Sequence, residues 1–551
     1  MSTAPARNVM MKYIHIVILS FLFCIPNAVW NFQNHVSDSS FTLVTLIDVL
    51  LSTLPYFCIS FLLLSLLPGI PSAAMVSLSA LAITLLSWLG LAHAHIYGSG
   101  INGGSIYIAL NSNIAEIGEY LKMYGNFTVI AHFFWIFCIE TVFIIYLFKY
   151  RGRFHSYRRS GLALSLLLLP LVSLGLSRDI YAVTSDNLIF VYHDAFWEYS
   201  IEEMKLNNIR GKTANQKITI KRDAIDHETR ETYVLILGES ISKRHMSLYG
   251  YSRDTNPLLT SISGELLKYD HVTSAGQYTV PALQTILTFA NRGDRTKLYQ
   301  PHILQIMKAA GFRIYWLSNQ NSSWSNEHWI KYFSETADIR LFTNASTLDM
   351  DSYDELLLAP FSQIVRDSEH KKKFIVVHLM GAHVDAKKRY PPAFEYFTNG
   401  SNSDWINKNK RLPQTYEYIN SYDNAIRYDD FIVYRIIEKL RSGSGIRLLF
   451  FVPDHGEEVG EIDDFIGRRN KTTRFMFEIP FLVWMSPEYR SARRSAAERA
   501  KDAVHRSFQT DGFIHSFMDF SGIWTDGFLP DRSIINRQFI ARRNGFVDGS
   551  K

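Results

Sequence analysis

Cysteine is nearly absent: the 551 residues contain three, Cys24, Cys58 and Cys138, all before residue 140. The remainder has none, which excludes a disulfide framework there and leaves its stability to a large apolar core. Charge is missing just as unevenly. Only eight of the first 148 residues are charged (Arg7, Lys12, Asp38, Asp48, Glu116, Glu119, Lys122 and Glu140), against about a quarter of the rest. A membrane-like part therefore precedes a water-soluble one. No repeat or low-complexity tract interrupts either part, and a chain that is 47% hydrophobic and 14% aromatic is not disordered. Beyond residue 160 the basic and acidic side chains nearly balance, 49 against 47, which speaks against nucleic acid as a partner.

What the first part has instead is long apolar runs. Five of them are candidate spans: Tyr13 to Trp30, Phe41 to Leu67, Ala73 to Ala92, Phe127 to Phe148 and Leu162 to Leu176. The first follows Arg7 and Lys12 but ends in Asn27-Ala28-Val29-Trp30, with no small-x-small cleavage site, so it reads as an uncleaved anchor. The segment KYRGRFHSYRR, residues 149–159, holds five Lys and Arg, whereas the loops at 31–40 and 93–126 hold only Lys122. The basic segment is expected to face the cytoplasm, which puts everything after about residue 178 on the far side, the periplasm of a Gram-negative cell. With about 370 residues outside the membrane, a transporter is disfavoured. Asp48 and Glu140 fall inside spans, where a carboxylate carries either a function or a pairing role. The second half of the 93–126 loop has the spacing of a helix lying on the membrane surface.

The expected organisation is a transmembrane domain over 1–178, a bridging segment at the membrane surface over 179–228, rich in Tyr, Phe and Trp, and a soluble domain over 229–551. In the soluble part short β-branched or aromatic runs alternate with helical stretches. Tyr233 to Leu237, Arg313 to Leu317, Phe374 to Val377, Arg447 to Val452 and Pro480 to Trp484 are the strand candidates, and the pattern is that of a doubly wound α/β sheet. Polar groups follow these runs directly: Glu239, Ser318-Asn319, His378 with His383, and Asp454-His455. In an open α/β sheet the carboxyl ends of the strands line the ligand crevice, so these residues are expected to converge. Glu, Asp and His suit a borderline divalent ion such as Zn2+. One such group at a strand end is ordinary; four on separate strands are less so.

At these residues the sequence resembles a known family, the membrane-anchored phosphoethanolamine transferases of the alkaline phosphatase and sulfatase superfamily. The resemblance rests on GESISKRHMSLYGYSRDTNPLL (238–259), AGQYTVPALQTILTFANR (275–292), HLMGAHVDAKKRYP (378–391), YDNAIRYDD (422–430), VPDHGEEVG (452–460) and EIPFLVWMSP (478–487). Together with the five spans it covers nearly the whole chain, and it is nearest the branch that modifies lipopolysaccharide core heptose, with the periplasmic-glucan branch a near relative. It implies a five-helix transmembrane domain followed by a sulfatase-like α/β domain in the periplasm. It also implies transfer of phosphoethanolamine from phosphatidylethanolamine to lipopolysaccharide or another envelope glycan. By the same resemblance Thr279 is the nucleophile, and Glu239, Asp454 and His455 bind Zn2+ together with the Thr279 oxygen. No spacing rule would single out Thr279, which otherwise reads as a turn residue before Pro281. His378 and His383 match positions that contact the phosphate group or a second metal, and Asn111 and Glu116 ones that meet the donor's ethanolamine; Arg253 and Thr255 are expected to hold the loop after Glu239 in place.

The chain departs from the family at one place. Many members have a further histidine before the last strand, and none stands between His455 and His505 here. Arg474 or Arg469 is the expected replacement as an anion contact, since guanidinium binds phosphate bidentately, and a second metal is not expected. Two rivals remain at this level: a membrane-anchored hydrolase passing the group to water, and a binding protein that keeps the fold without the chemistry. The C/S-x-P-x-R signature of sulfatases proper does not occur around Thr279.

Overall fold

The structure is a computed structural model. Apart from isolated positions, it describes residues 69–97, 127–154 and 188–541, the last with gaps at 215, 227, 322–327, 345–351, 384, 399–411 and 463–471. Two compact units divide the chain, with a boundary inside the 27-residue helix Leu188–Ala214, between Glu202 and Glu203.

In the first unit, helices Gly69–Tyr97 and Phe127–Phe154 stand where the third and fourth spans are expected. The first of them buries Ala73, Val76, Ser77, Ala80, Ile83, Thr84, Ser87 and Leu91, a stripe of mostly small residues at three- and four-residue spacing. The second buries Ile136, Glu140, Phe143 and Leu147, while Phe134, Trp135, Val142 and Ile145 stay exposed. In Gly69–Tyr97 mostly small residues face inward, which lets a neighbouring helix approach closely, while in both helices large apolar side chains also stay exposed. Among the described residues Ala73–His93 is the one stretch long and apolar enough to cross a membrane by length and composition. The first, second and fifth expected spans, and Asp48, lie outside the described residues apart from a few positions.

The second unit is built on eleven strands among the described residues: β1 (Lys221–Arg222), β2 (Glu231–Gly238), β3 (Leu266–Lys268), β4 (Val272–Thr273), β5 (Arg313–Asn321), β6 (Ile339–Asn344), β7 (Lys372–His378), β8 (Ile446–Pro453), β9 (Leu482–Met485), β10 (Phe508–Gln509) and β11 (Ile523–Trp524). Seven form the central sheet in the order β3-β9-β8-β2-β7-β5-β6. Its five middle and right-hand strands, β8, β2, β7, β5 and β6, are parallel, whereas β9 runs antiparallel to β8 and β3 antiparallel to β9. The sheet is therefore mixed, and the strand expected at 480–484 is its antiparallel member.

Alternation along the central strands sends side chains to two cores. Tyr233, Leu235 and Leu237 of β2, with Phe374 and Val376 of β7 and Leu448, Phe450 and Val452 of β8, pack on one face with Phe513 and Phe517 of helix Phe513–Ser521. Val234, Ile236, Ile375, Val377, Leu449 and Phe451 face the other way, against Ile426, Val433 and Ile437 of helix Pro413–Arg441. Both faces of the middle strands are covered, which is why they read as unbroken apolar runs. Helix Pro413–Arg441 starts on a proline, whose missing N–H costs nothing at that position, and its apolar positions recur at helical spacing. Residues upstream of 229 also belong here: Leu206 and Ile209 enter the first core, and β1 pairs antiparallel with β11, Lys221 opposite Trp524.

Candidate active site and metal centre

The parallel register brings three strand ends level. Leu237 lies opposite His378, and Gly238 opposite Pro453, so Glu239, His378 and Asp454 emerge side by side. Past the strands the ladder continues for one step, Leu379 N donating to Leu237 O at 3.0 Å and Ala382 N to Glu239 O at 3.0 Å. Between them Gly381 has φ +55°, and a Cβ there would lie 2.7 Å from Glu239 O and 2.9 Å from Glu239 N. Only glycine lets this loop close over the Glu239 backbone.

Glu239, Asp454 and His455 are buried, and one ligand atom from each lies within 4.8 Å of the others. Their orientations are set by neighbouring backbone. Asp454 Oδ1 accepts Ser240 N at 3.1 Å and His455 N at 2.7 Å, while Oδ2 is buried without a hydrogen-bond partner. His455 Nδ1 lies 2.8 Å from Gly456 O, a contact that puts a proton on Nδ1 and turns Nε2 to within 3.4 Å of both Glu239 Oε1 and Asp454 Oδ2. Ser240 donates through its hydroxyl to Glu239 Oε1 at 2.8 Å, from a backbone with φ 57°, a left-handed conformation unusual for a non-glycine residue. The Thr279 hydroxyl donates to Glu239 Oε2 at 3.1 Å. Thr279 opens helix Thr279–Leu287, so it sits where backbone N–H groups are free and negative charge is favoured; Pro281, in the same first turn, has no N–H to leave unpaired.

The electrostatics point the same way. Burial alone would raise Glu239, but the hydrogen bond and charge of His455, with His383, hold it well below the ordinary carboxylate range. Asp454 is pushed well up, first by burial and then by the Glu239 charge. Two buried carboxylates, an imidazole nitrogen and a hydroxyl oxygen, with one carboxylate oxygen left unpaired, are a donor set that fits a borderline divalent ion such as Zn2+.

His378 is fully buried, with Nδ1 3.5 Å from Ser318 Oγ and Nε2 without a partner. Burial, partly opposed by Glu239, pushes it down to about 4, so its imidazole is neutral near pH 7. His383 is half-buried and acts on Glu239 through its charge. Asn319 turns away from this group: its Oδ1 accepts Thr343 Oγ1 at 2.7 Å and Ser352 Oγ at 2.6 Å, and its Nδ2 donates to Ser352 O. Arg474 is exposed, in the short turn Arg474–Met476 whose backbone packs on Gly456, with its guanidinium 4.9 Å from the Phe475 ring centroid. Arg253 donates to Asp423 at 2.8 Å and Thr255 to His245 O at 2.7 Å, both bracing the loop after Glu239. Asn111, Glu116 and Arg469 lie outside the described residues.

Sequence reasoning passed over several contributors. Ser240 orients two carboxylates, and Asp354 accepts Met380 N at 2.8 Å and Gly381 N at 3.0 Å, fixing the loop over Glu239. Tyr422 donates to Ser240 O at 2.6 Å and accepts Ser242 N at 2.9 Å. The GES and YDN motifs hold Ser240 and Tyr422 and no motif holds Asp354, and nothing local distinguishes the three from turn and helix polar groups.

Residues 231–523, more than half of the chain, match the family model described as Sulfatase. With the mixed α/β sheet and the buried Glu-Asp-His group at its strand ends, the chain belongs to the sulfatase family. Its similarity runs further, to phosphoethanolamine transferases. It is 29% identical over 496 residues to phosphoethanolamine transferase EptC of Escherichia coli strain K12, covering 84% of this chain and 83% of that one. The crystal structure of the C-terminal periplasmic domain of EptC from Escherichia coli, in complex with Zn, is 32% identical, covers 59% of this chain and 91% of that chain, and superposes with a TM-score of 0.55. The integral membrane lipooligosaccharide phosphoethanolamine transferase A of Neisseria meningitidis, 19% identical, shares the fold over 94% of this chain and 98% of that one, with a TM-score of 0.62.

Proposed function

We propose that the protein transfers phosphoethanolamine from phosphatidylethanolamine to a hydroxyl of a cell-envelope glycan, lipopolysaccharide core heptose or lipid A, through a covalent intermediate on Thr279. The observation that carries the reading is the Thr279 hydroxyl hydrogen-bonded to Glu239 inside the buried Glu-Asp-His group, in a chain similar to EptC over 84% of its length.

A zinc ion held by Glu239, Asp454, His455 and the Thr279 oxygen would supply a lowered hydroxyl pKa and a counter-charge for the phosphoryl oxygens. The chain's own residues do the rest. Glu239 orients Thr279 Oγ1 by accepting its hydrogen bond. Oγ1 attacks phosphorus, the bond to the diacylglycerol oxygen breaks, and His383, at the half-buried edge of the site, gives that oxygen its proton. The acceptor hydroxyl then attacks phosphorus and gives its proton to His383, which the first step left deprotonated; the Thr279–phosphorus bond breaks, and Thr279 leaves as the alkoxide that attacked. Neutral His378 offers hydrogen bonding without a second positive charge, and Arg474 reaches the acceptor-side anion from the turn against Gly456. Asn111 and Glu116 meet the donor's ammonium group. Five spans hold the unit at the inner membrane with its catalytic part in the periplasm, so that a donor anchored by its tails and a soluble nucleophile share one surface.

The test is the intact mass of the detergent-purified chain after incubation with phosphatidylethanolamine. Wild type is expected to gain one phosphoethanolamine group, and Thr279→Ala and chelator-treated protein to gain none. Diacylglycerol release without an adduct would favour a hydrolase; neither product would sink the reading.

A further inference from the structure

The loop leaving β2 carries a second buried constellation that the chemistry above does not use. The His245 side chain is 1% exposed, with Nδ1 2.6 Å from Asp423 Oδ1 and Nε2 3.5 Å from Glu461 Oε1. The other Asp423 oxygen accepts Tyr251 OH at 2.9 Å and Arg253 Nη1 at 2.8 Å. Rings of Tyr251 and Tyr422 pack on the imidazole at 4.8 and 5.2 Å between centroids. Glu461 Oε2 accepts Val459 N at 2.6 Å, which fixes it to the segment that begins at Asp454 and His455. One imidazole thus joins three pieces of chain: the loop that follows Glu239, helix Pro413–Arg441, and the segment that follows His455.

Stability alone is a poor reason for this group. A buried ion pair is generally no more stabilising than apolar residues of the same volume, whereas removing one member strands a buried charge. Here loss of the imidazolium leaves Glu461 and the Arg253-paired Asp423 as two carboxylates with no cation shared between them across the join. We propose that His245 is a positioning residue for the metal centre: it holds the loop after Glu239 and the segment after His455 at one separation, so that ligands borne by two different loops keep the span a zinc-class ion requires. The proposal rests on the metal-centre reading and not on which group is transferred.

The test measures zinc affinity of the full-length chain in detergent by competition with a chromophoric chelator at pH 7, beside melting of the metal-free protein. His245→Gln is expected to weaken zinc binding by about 10- to 100-fold, the range for residues that orient metal ligands. The double variant His245→Gln/Glu461→Gln, which removes the facing charge and keeps hydrogen-bonding amides, is expected to recover much of that loss. Wild-type affinity in His245→Gln, whatever its melting temperature, would overturn the proposal, as would a double variant no better than the single one. If His245→Gln does not fold, Glu461→Gln alone carries the test: it leaves the His245–Asp423 pair intact, a several-fold loss is expected, and unchanged affinity overturns the role. Wild-type protein that takes up no zinc removes the metal centre itself, a failure visible before any variant is compared.

Discussion

Replacing Gly381 by alanine isolates the tightest contact over the metal centre. Two costs add. Alanine at φ +55° loses about 1 kcal/mol to the left-handed backbone. Its Cβ would also lie 2.7 Å and 2.9 Å from Glu239 O and N, backbone atoms of a strand end that cannot swing aside. Nor can the loop retreat, because Asp354 holds Met380 N and Gly381 N and Ala382 N is bonded to Glu239 O. Relief by a backbone shift costs about 2 kcal/mol, the usual scale for forcing an extra carbon into packed structure. Gly311 is the control: its φ is +85° but its Cβ would meet nothing within 4 Å, so Gly311→Ala bears the first cost alone. Any gain from a stiffer unfolded chain is common to both variants and cancels. At about 2 °C per kcal/mol for a unit of this size, Gly311→Ala should lower the melting midpoint by about 2 °C and Gly381→Ala by about 6 °C. Only Gly381→Ala should also lose zinc on gel filtration, since it displaces Glu239. Equal melting shifts, or full zinc retention by Gly381→Ala, would refute the argument.

Asp454→Asn keeps an oxygen for Ser240 N and His455 N but removes a carboxylate that burial and Glu239 already push well up. Its metal-free form should melt no lower than wild type, while the stabilisation that zinc confers on wild type disappears; a differential melting experiment with and without chelator decides it. Alkaline pH should weaken the His245 join. Burial alone would lower this imidazole, but the charges and hydrogen bonds of Asp423 and Glu461 raise it from 6.5 to about 9; Arg253 pairs with Asp423 close by, and the rings of Tyr251 and Tyr422 pack on the imidazole. Its contribution, about 3 kcal/mol for such a shift, is complete below the unfolded value and is lost as pH rises through about 9. The melting midpoint should therefore fall between pH 7 and pH 9.5, with a shallower slope in His245→Gln; identical slopes would refute it.

The strands that are legible in the sequence are those buried on both faces, where an apolar run ends abruptly in a polar residue. That is why Glu239, His378 and Asp454-His455 stand out as candidates from the sequence alone. β3 and β6 do not, being three residues long in one case and a half-exposed sheet edge in the other. Nor does periodicity reveal that β9 runs against β8, because direction is decided by the connection and not by the strand. Thr279 needs the family resemblance, since a threonine at a helix start before proline has many ordinary uses. Ser240, Asp354 and the Tyr422-Asp423 pair act through hydrogen bonds between residues far apart in sequence; Tyr422 reaches Ser240 across 182 positions. Such partners leave no local pattern.

The pairing of β1 with β11 makes the first strand of the unit wait for the last. Asp223, just after β1, takes the Arg493 guanidinium at 2.7 Å, and its backbone N–H bonds Gly522 O at 3.0 Å beside β11. In a chain delivered from its N-terminus, β1 and Asp223 arrive about 300 residues ahead of β11. The seam between β1 and β11 closes only once β11 has emerged. A soluble fragment cut at residue 229 would lack that seam altogether, with β11 an unpaired edge and the Arg493 cation without its carboxylate; one begun ahead of Leu206 and Ile209 would keep it.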